Sequence, residues 1–560
     1  MDLTETAQTV LEKRYLLKNE SGQAVETPDD MLRRVAEAVA VAEAASGAAS
    51  AQKEWGERFY EIMAAGEFLP NSPTLMNAGT SVGQLSACFV VPVGDSISEI
   101  FEALKDMAVI HQSGGGTGFG FSRLRPEGDI VQATHGIASG PLSFMKVFDT
   151  ATTIIKQGGR RRGANMGILR VDHPDIFDFI KAKEATDVLN NFNLSVAVTD
   201  SFMDAAIRGK DFELFNPRTK RPVKRVKAAE LLDCISKAAW QTGDPGLFFI
   251  DEANRHNPTP ALGPFESTNP CGEQPLLPFE SCNLGSLNLA SFISDNTLDS
   301  DRLAAAVQTA VRFLDDVIDV NKFPLVKIAE MTRANRKIGL GVMGFAEALV
   351  KLGISYGAPE SFDFAGHVMR FIQDTGREAS VKLALERGSF PNFDKSVFKS
   401  RGITQIRNAT VTTVAPTGTI SLIAGTSSGI EPYFALSYTR RALDGREFKE
   451  TNRLYAEMAS SGSDPSELKR LFPTALTLAP EAHVKMQAAF QMYTDNAVSK
   501  TVNLRADSEP DDVKNTFRLA YEPKCKGITI YRYGSKGEQV LYLGPDVDSP
   551  EDCRAHVCPA

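Results

Sequence analysis

Between residues 28 and 40 the apolar side chains Met31, Leu32, Val35, Ala36 and Val39 recur every three or four positions, the spacing that gathers them on one face of a helix. Thr27-Pro28-Asp29-Asp30 supplies the start signal: a hydroxyl for the N-cap, a proline where no N–H bond is needed, and acids facing the positive end of the helix dipole. Beyond about residue 66 the pattern changes. Short β-rich runs, Ala87–Val93, Gly167–Val171, Leu194–Thr199, Leu247–Asp251, Ile338–Met343, Thr410–Val414 and Ile528–Tyr533, alternate with helical stretches such as Leu231–Trp240. That alternation predicts an α/β domain with crossover connections. After about Gly534 the chain loosens into Gly, Pro, Asp and Ser, which predicts a mobile tail. With no internal repeat or low-complexity linker, the expected organisation is a helical region over 1–66, a large α/β domain over 67–534 and a tail over 535–560.

Composition narrows the function classes. The chain has 560 residues, 42% hydrophobic and 23% charged, with a formal net charge of -9. It is long enough to bury a large core. No apolar run approaches the ~20 residues needed to span a bilayer, and the polar N-terminus lacks the order of a signal peptide. Seven cysteines, an odd count in a long chain, argue for a reducing, cytoplasmic compartment in which any disulfide is catalytic. The mild acidity gives no reason to expect a nucleic-acid partner.

Candidate chemistry concentrates in Ser267-Thr-Asn-Pro-Cys-Gly-Glu-Gln-Pro-Leu276, which sets an amide, a thiol and a carboxylate at alternate positions of one turn. Asn first, Pro second and Gly fourth suit a type I turn, which holds Cys271 near a loop tip with Asn269 and Glu273 beside it. The bland alternative is an ordinary turn with an incidental cysteine. Cys88, in a valine-rich run, and Cys282, at the start of an alternation of leucine with small polar residues, both read as strand positions that could carry a thiol toward that turn, or as small buried apolar residues. Thr410-Val-Thr-Thr-Val-Ala-Pro-Thr-Gly-Thr-Ile-Ser421 reads as a strand entering a hydroxyl-rich loop and then a helix start, where backbone N–H groups and the hydroxyls of Thr417, Thr419 and Ser421 can surround a diphosphate. It lacks the lysine of a Walker loop, so ATP hydrolysis is not implied. The cluster Gly114–Gly120 permits close backbone approach without saying to what, and is not a dinucleotide fingerprint. Arg160-Arg161-Arg162 between glycines reads by itself as a solvated basic loop. His111, His135 and His173 show no metal-binding spacing, and no metal site is expected.

Taken together and in order, Phe68-Leu-Pro-Asn-Ser-Pro-Thr-Leu-Met-Asn77, Ser86-Ala-Cys88, Gly114–Gly120, Gly158-Gly-Arg-Arg-Arg-Gly-Ala164, Asn269-Pro-Cys-Gly-Glu273 and Ala415-Pro-Thr-Gly-Thr-Ile-Ser421 resemble a ribonucleotide reductase over nearly the whole chain. The opening Leu11-Glu-Lys-Arg-Tyr-Leu-Leu17 and the closing Cys525-Lys-Gly-Ile-Thr-Ile-Tyr-Arg-Tyr-Gly534 resemble the class II, adenosylcobalamin-dependent branch. The resemblance implies a ten-stranded α/β barrel whose interior is threaded by a finger loop carrying Cys271. It implies that the cofactor adenosylcobalamin generates a thiyl radical on Cys271, which removes the 3'-hydrogen of a ribonucleotide, a diphosphate by preference. Glu273 acts as general base, Asn269 orients the substrate, and Cys88 and Cys282 deliver two electrons and close into a disulfide.

The same resemblance implies substrate contacts at Ser72, Ala87, Cys88, Gly116, the turn Asn269, Pro270, Cys271, Gly272 and Glu273, and the loop Pro416, Thr417, Gly418, Thr419 and Ile420. A deoxynucleoside triphosphate effector is expected at Asp95 and Arg161. A thioredoxin-like reductant is expected to act through Cys553 and Cys558, although four residues separate these thiols, wider than the familiar tail pair. A homodimer is expected; Cys234 and Cys525 read as structural. The histidine signature of one cobalamin-binding mode is absent, which leaves other modes open. Two alternatives stand beside this reading: a class I large subunit, which usually needs two adjacent tyrosines where this chain has Tyr531-Arg532-Tyr533, and a noncatalytic nucleotide-binding protein.

Overall fold

The computed structural model describes residues 3–46, 49–131, 136–155, 163–185, 188–441, 447–535 and 541–543. Helices occupy Glu5–Arg14, Pro28–Ser46 and Ala49–Ala64. The second starts as its sequence dictates: Asp30 N–H donates to Thr27 Oγ1 at 3.2 Å and Thr27 N–H donates back to Asp30 Oδ2 at 2.9 Å, a reciprocal cap. Met31, Leu32, Val35, Ala36 and Val39 are all buried, in a core shared with the long helix Ser300–Val320.

The remainder is α/β. An eight-stranded sheet runs, in spatial order, Ser281–Cys282, Cys88–Val90, Gly116–Gly120, Asn165–Arg170, Phe192–Val198, Gly246–Phe249, Gly527–Arg532 and Thr501–Leu504. The five strands from Cys88 to Phe249 are mutually parallel, with crossover helices such as Ile97–Ser113, Gly140–Ile154 and Ala228–Thr242 between them. Phe119, Phe148 and Phe192 pack under this sheet, the first two edge to face at 5.0 Å. A second sheet joins Phe68–Pro70, Leu284–Asn288 and Gly339–Met343. Single parallel bridges, Leu340 to Thr412 and Val414 to Val498, run beyond it.

The structure revises several expected elements. Thr410–Val414 is extended but pairs only through those isolated bridges, because Asp495 takes the N–H groups of Val411 (2.8 Å) and Thr412 (3.2 Å) that a ladder would use. Leu247–Asp251 splits: the strand ends at Phe249 and a helix begins at Ile250. Most of the glycine cluster, to which the sequence assigned no element, is a buried strand. Part of the expected tail, Leu541–Leu543, pairs antiparallel with Ser437–Arg441; residues 536–540 and 544–560 lie outside the described ones. Among the described residues no helix is long and apolar enough to cross a membrane.

Candidate active site

The cysteine turn forms the tip of a hairpin. Ser267 and Thr268 pair with Leu276 and Pro275, Asn269 N–H donates to Gln274 O (3.2 Å), and Gly272 N–H closes the turn on Asn269 O (3.1 Å). Gly272 has φ +83°, a left-handed residue that turns the chain back without a Cβ penalty. The hairpin lies along the glycine strand, and that contact explains the glycines. A Cβ on Gly118 would stand 1.7 Å from the Thr268 carbonyl oxygen; on Gly116 it would meet Pro270 Cγ at 3.0 Å and on Gly120 Glu266 O at 3.0 Å. Asn193 Nδ2 fixes the tip from the next strand but one, donating to Pro270 O at 2.8 Å. Along this hairpin Cys271 is exposed and Gly272 partly so, while the residues on either side are buried.

Cys88 and Cys282 stand directly opposite each other on antiparallel strands. Such partners have Cα atoms about 4.5–5.5 Å apart, inside the range a disulfide needs. Both are buried free thiols. Burial, then the hydrogen bond with Cys88 and the nearby charge of Glu273, push the Cys282 thiol well above the usual cysteine range, so it is held as S–H. Asn269 ties the pair to the turn: its Nδ2 donates to Cys88 Sγ (3.2 Å) while its Oδ1 accepts from Gln274 N–H (3.0 Å). Glu273 is 2% exposed, and its backbone carbonyl is held by Ala497 N–H and Thr413 Oγ1, each at 2.9 Å.

These groups converge on one cavity of about 270 Å³. Its walls include Ser72, Ala87, Cys88, Gly116, Asn269, Pro270, Cys271, Glu273 and Pro416 through Ile420. Gly272 and Cys282 are not in the wall: the glycine serves the turn, and Cys282 sits behind Cys88. Thr417 has φ +57°, rare for a β-branched residue, and is held there by Gly429 N–H, which donates to its Oγ1 at 2.7 Å. The N–H groups of Gly418, Thr419 and Ile420 open the short helix Ile420–Ile423 and donate to no acceptor among the described residues. The Ser421 hydroxyl turns away to Ser428 Oγ at 2.9 Å, contrary to the expectation that it faces a ligand.

Sequence reasoning missed much of the far end of the cavity, which is lined by His111, Gly114, Gly115, Gly163 and Ala164. A chain of donors fixes the histidine. Thr152 Oγ1 donates to Phe148 O (2.8 Å) and so accepts from Asn165 Nδ2 (2.9 Å). Asn165 Oδ1 therefore accepts from Thr117 Oγ1 (2.6 Å), which in turn accepts from His111 Nε2 (2.9 Å). His111 is the Nε2–H tautomer, and burial lowers its pKa to about 4, so the imidazole itself is neutral. No pattern local to His111 reveals this, because its partners arrive from other elements.

Asp95 lies outside the cavity wall, where Arg125 donates to it through Nε and backbone N–H, both at 2.9 Å. Arg125 is thirty residues away in sequence and carried no signal. Arg161, Cys553 and Cys558 lie outside the described residues. Cys525 is fully buried in the core and Cys234 is half-buried on its helix. His173 Nε2–H donates to Leu124 O (2.9 Å) while its Nδ1 accepts from Asp175 N–H (3.1 Å), a structural contact. Among the described residues the one carboxylate cluster close enough to hold a metal, Asp315, Asp316 and Asp319, is occupied by Arg336, Arg387 and Arg407.

Comparison with known proteins agrees with this geometry. A family model described as ribonucleotide reductase, barrel domain, matches residues 86–531, and one described as ribonucleotide reductase, all-alpha domain, matches residues 1–83. The vitamin B12-dependent ribonucleoside-diphosphate reductase of Thermoplasma acidophilum is 49% identical, over 99% of this chain and 82% of the relative. Its counterpart from Mycobacterium tuberculosis is 50% identical, over 97% of this chain and 80% of the relative. The ribonucleoside-diphosphate reductase subunit alpha of Chlamydia muridarum is 28% identical, over 93% of this chain but 58% of that protein. The chain belongs to the ribonucleotide reductase family, in its vitamin B12-dependent, class II branch.

Proposed function

We propose that this chain reduces ribonucleoside diphosphates to 2'-deoxyribonucleoside diphosphates by thiyl-radical chemistry at Cys271. The observation that carries the reading is the exposed thiol at the hairpin tip facing a nucleotide-sized cavity whose wall bears one member of a buried thiol pair. The diphosphate sits against the free N–H groups of 418–420 and the hydroxyls of Ser72, Thr417 and Thr419. Cys271, as thiyl, takes the 3'-hydrogen and returns it at the end. Glu273 holds the 3'-hydroxyl proton while the 2'-hydroxyl, protonated from the thiol pair, departs as water. Cys88 and Cys282 lose two protons and two electrons in total and close into a disulfide; the substrate gains the two electrons and the 2'-oxygen leaves as water. Asn269, bonded to Cys88, keeps turn and pair in register.

Adenosylcobalamin, when bound, supplies the radical equivalent that removes the Cys271 hydrogen. The cofactor would be held on the open side of the tip, where Cys271 and Asn193 are exposed. Closure of the two sheets into a ten-stranded barrel is part of this proposal, supported by the bridges at Thr412 and Val414. So are the division at 1–66, 67–534 and 535–560, an effector site at Asp95 and Arg161, a homodimer, and reduction of the disulfide by a thioredoxin-like protein in the cytoplasm through Cys553 and Cys558.

The test is reduction of a ribonucleoside diphosphate by the purified chain with a small dithiol and a deoxynucleotide effector, with and without adenosylcobalamin. Product only with the cofactor is expected. Product only after addition of a radical-generating subunit would move the mechanism to class I. Unchanged activity in Cys271→Ala would remove the radical assignment. Truncation before Cys553 should abolish turnover with thioredoxin and spare turnover with the small dithiol.

A further inference from the structure

The N-terminal run Leu11–Leu17 serves no purpose in the chemistry above, yet it reaches the phosphate end of the cavity. Tyr15 is 2% exposed, and its hydroxyl lies 2.7 Å from Ser72 Oγ, although 57 residues separate them. Ser72 lines the cavity beside Pro416–Ile420. The helix Glu5–Arg14, with Ala7 and Leu11 buried, packs on the helix Ile420–Ile423 that ends the phosphate loop. The arm therefore touches both walls between which a phosphate would sit.

We infer that Tyr15 is a positioning residue that orients the Ser72 hydroxyl for the substrate's diphosphate. A phenol is a stronger hydrogen-bond acid than an aliphatic alcohol, so beside an anion the favoured arrangement is Tyr15 O–H to Ser72 Oγ and Ser72 O–H to a phosphate oxygen. Each bond polarises the next, and the Ser72 proton is turned toward the cavity before ligand arrives. No proton is transferred and no charge changes. The arm thereby couples the N-terminal helices to substrate affinity, which gives the Leu11–Leu17 run a function. The inference rests on the reading that Ser72 and residues 416–420 hold the diphosphate.

Tyr15→Phe removes one oxygen and keeps the ring. Loss of one neutral hydrogen bond in this relay should raise KM for the nucleoside diphosphate about three- to tenfold and leave kcat within about twofold. Inorganic pyrophosphate, as a competitive inhibitor, should lose affinity by the same factor. In a Ser72→Ala background Tyr15→Phe should add nothing further, since the relay is already broken. Unchanged KM and pyrophosphate affinity in Tyr15→Phe, additive losses in the double variant, or a fall confined to kcat would overturn the inference. If pyrophosphate fails to compete even with the unaltered enzyme, the phosphate-site reading itself falls, and the Tyr15 assignment with it.

Discussion

Alanine at Gly118 should cripple turnover while sparing nucleotide binding. The added Cβ would lie 1.7 Å from the Thr268 carbonyl oxygen, a backbone atom that no rotamer change can move aside. Restoring an ordinary contact requires the hairpin to retreat by roughly 1.5 Å. Cys271 is three residues beyond Thr268 and moves with it. A displacement of about 1 Å at a reacting group can cost on the order of a hundredfold in rate, so kcat for Gly118→Ala should fall by at least that factor. The phosphate loop at 416–420 belongs to different elements, and substrate affinity measured by calorimetry should change only a few-fold. The neighbouring glycines provide an internal scale: a Cβ on Gly116 or Gly120 stops at 3.0 Å and asks for a shift of only tenths of an ångström, so both alanine variants should keep kcat within a few-fold, with any further loss at Gly116, which lines the cavity, falling on substrate affinity. Steady-state deoxynucleotide formation for the three variants, with thermal melts to confirm folding, tests the ranking. Gly118→Ala within about threefold of the parent, or indistinguishable from Gly116→Ala, would refute the claim that this strand is glycine-rich to seat the hairpin.

Other outcomes follow from the same geometry. Turnover without reductant should leave a Cys88–Cys282 cross-linked peptide in a digest and Cys271 unlinked; a cross-link involving Cys271 would reverse the assignment of roles. Iodoacetamide at neutral pH should alkylate the exposed Cys271 well before Cys282, whose buried thiol is pushed to high pKa, and equal labelling rates would contradict this. Asp495 pins the entry to the phosphate loop. Although burial opposes its ionisation, Arg377 and the N–H groups of Val411 and Thr412 hold its pKa below the usual value. Its stabilisation is present above about pH 4 and lost as pH falls through the folded value, so Asp495→Asn should cost roughly 1–3 kcal/mol at pH 7 by urea unfolding and much less in acid. Asp175 has the opposite sign: burial raises its pKa to about 6, so the folded protein holds a proton that the unfolded chain has released, and stability should fall as pH rises from 4 to 6. Asp175→Asn should flatten that slope in melts across the window; an unchanged slope would place its cause elsewhere.

Features that depend on neighbours along the chain are legible in the sequence itself. Thr27-Pro28-Asp29-Asp30 caps its helix because donor and acceptor lie three residues apart, and Asn269 to Gly272 forms its turn for the same reason. The strand–helix alternation carried the α/β class, since side-chain period is a local property. Motif order carried the family and most of the cavity wall. What the sequence left open depends on segments that meet only after folding. The Gly116–Gly120 run has poor intrinsic strand preference; it is a strand because Cys88–Val90 and Asn165–Arg170 pair with it on either side, and its glycines leave room for a hairpin about 150 residues later. Thr410–Val414 has strong strand preference, yet a carboxylate from Asp495 takes its donors. The facing of Cys88 and Cys282, the tautomer of His111, the Asp95–Arg125 pair and the Tyr15–Ser72 contact all join residues from separate elements. Register and close approach between distant segments are set by the packing of the whole core, and single-residue preferences do not encode them.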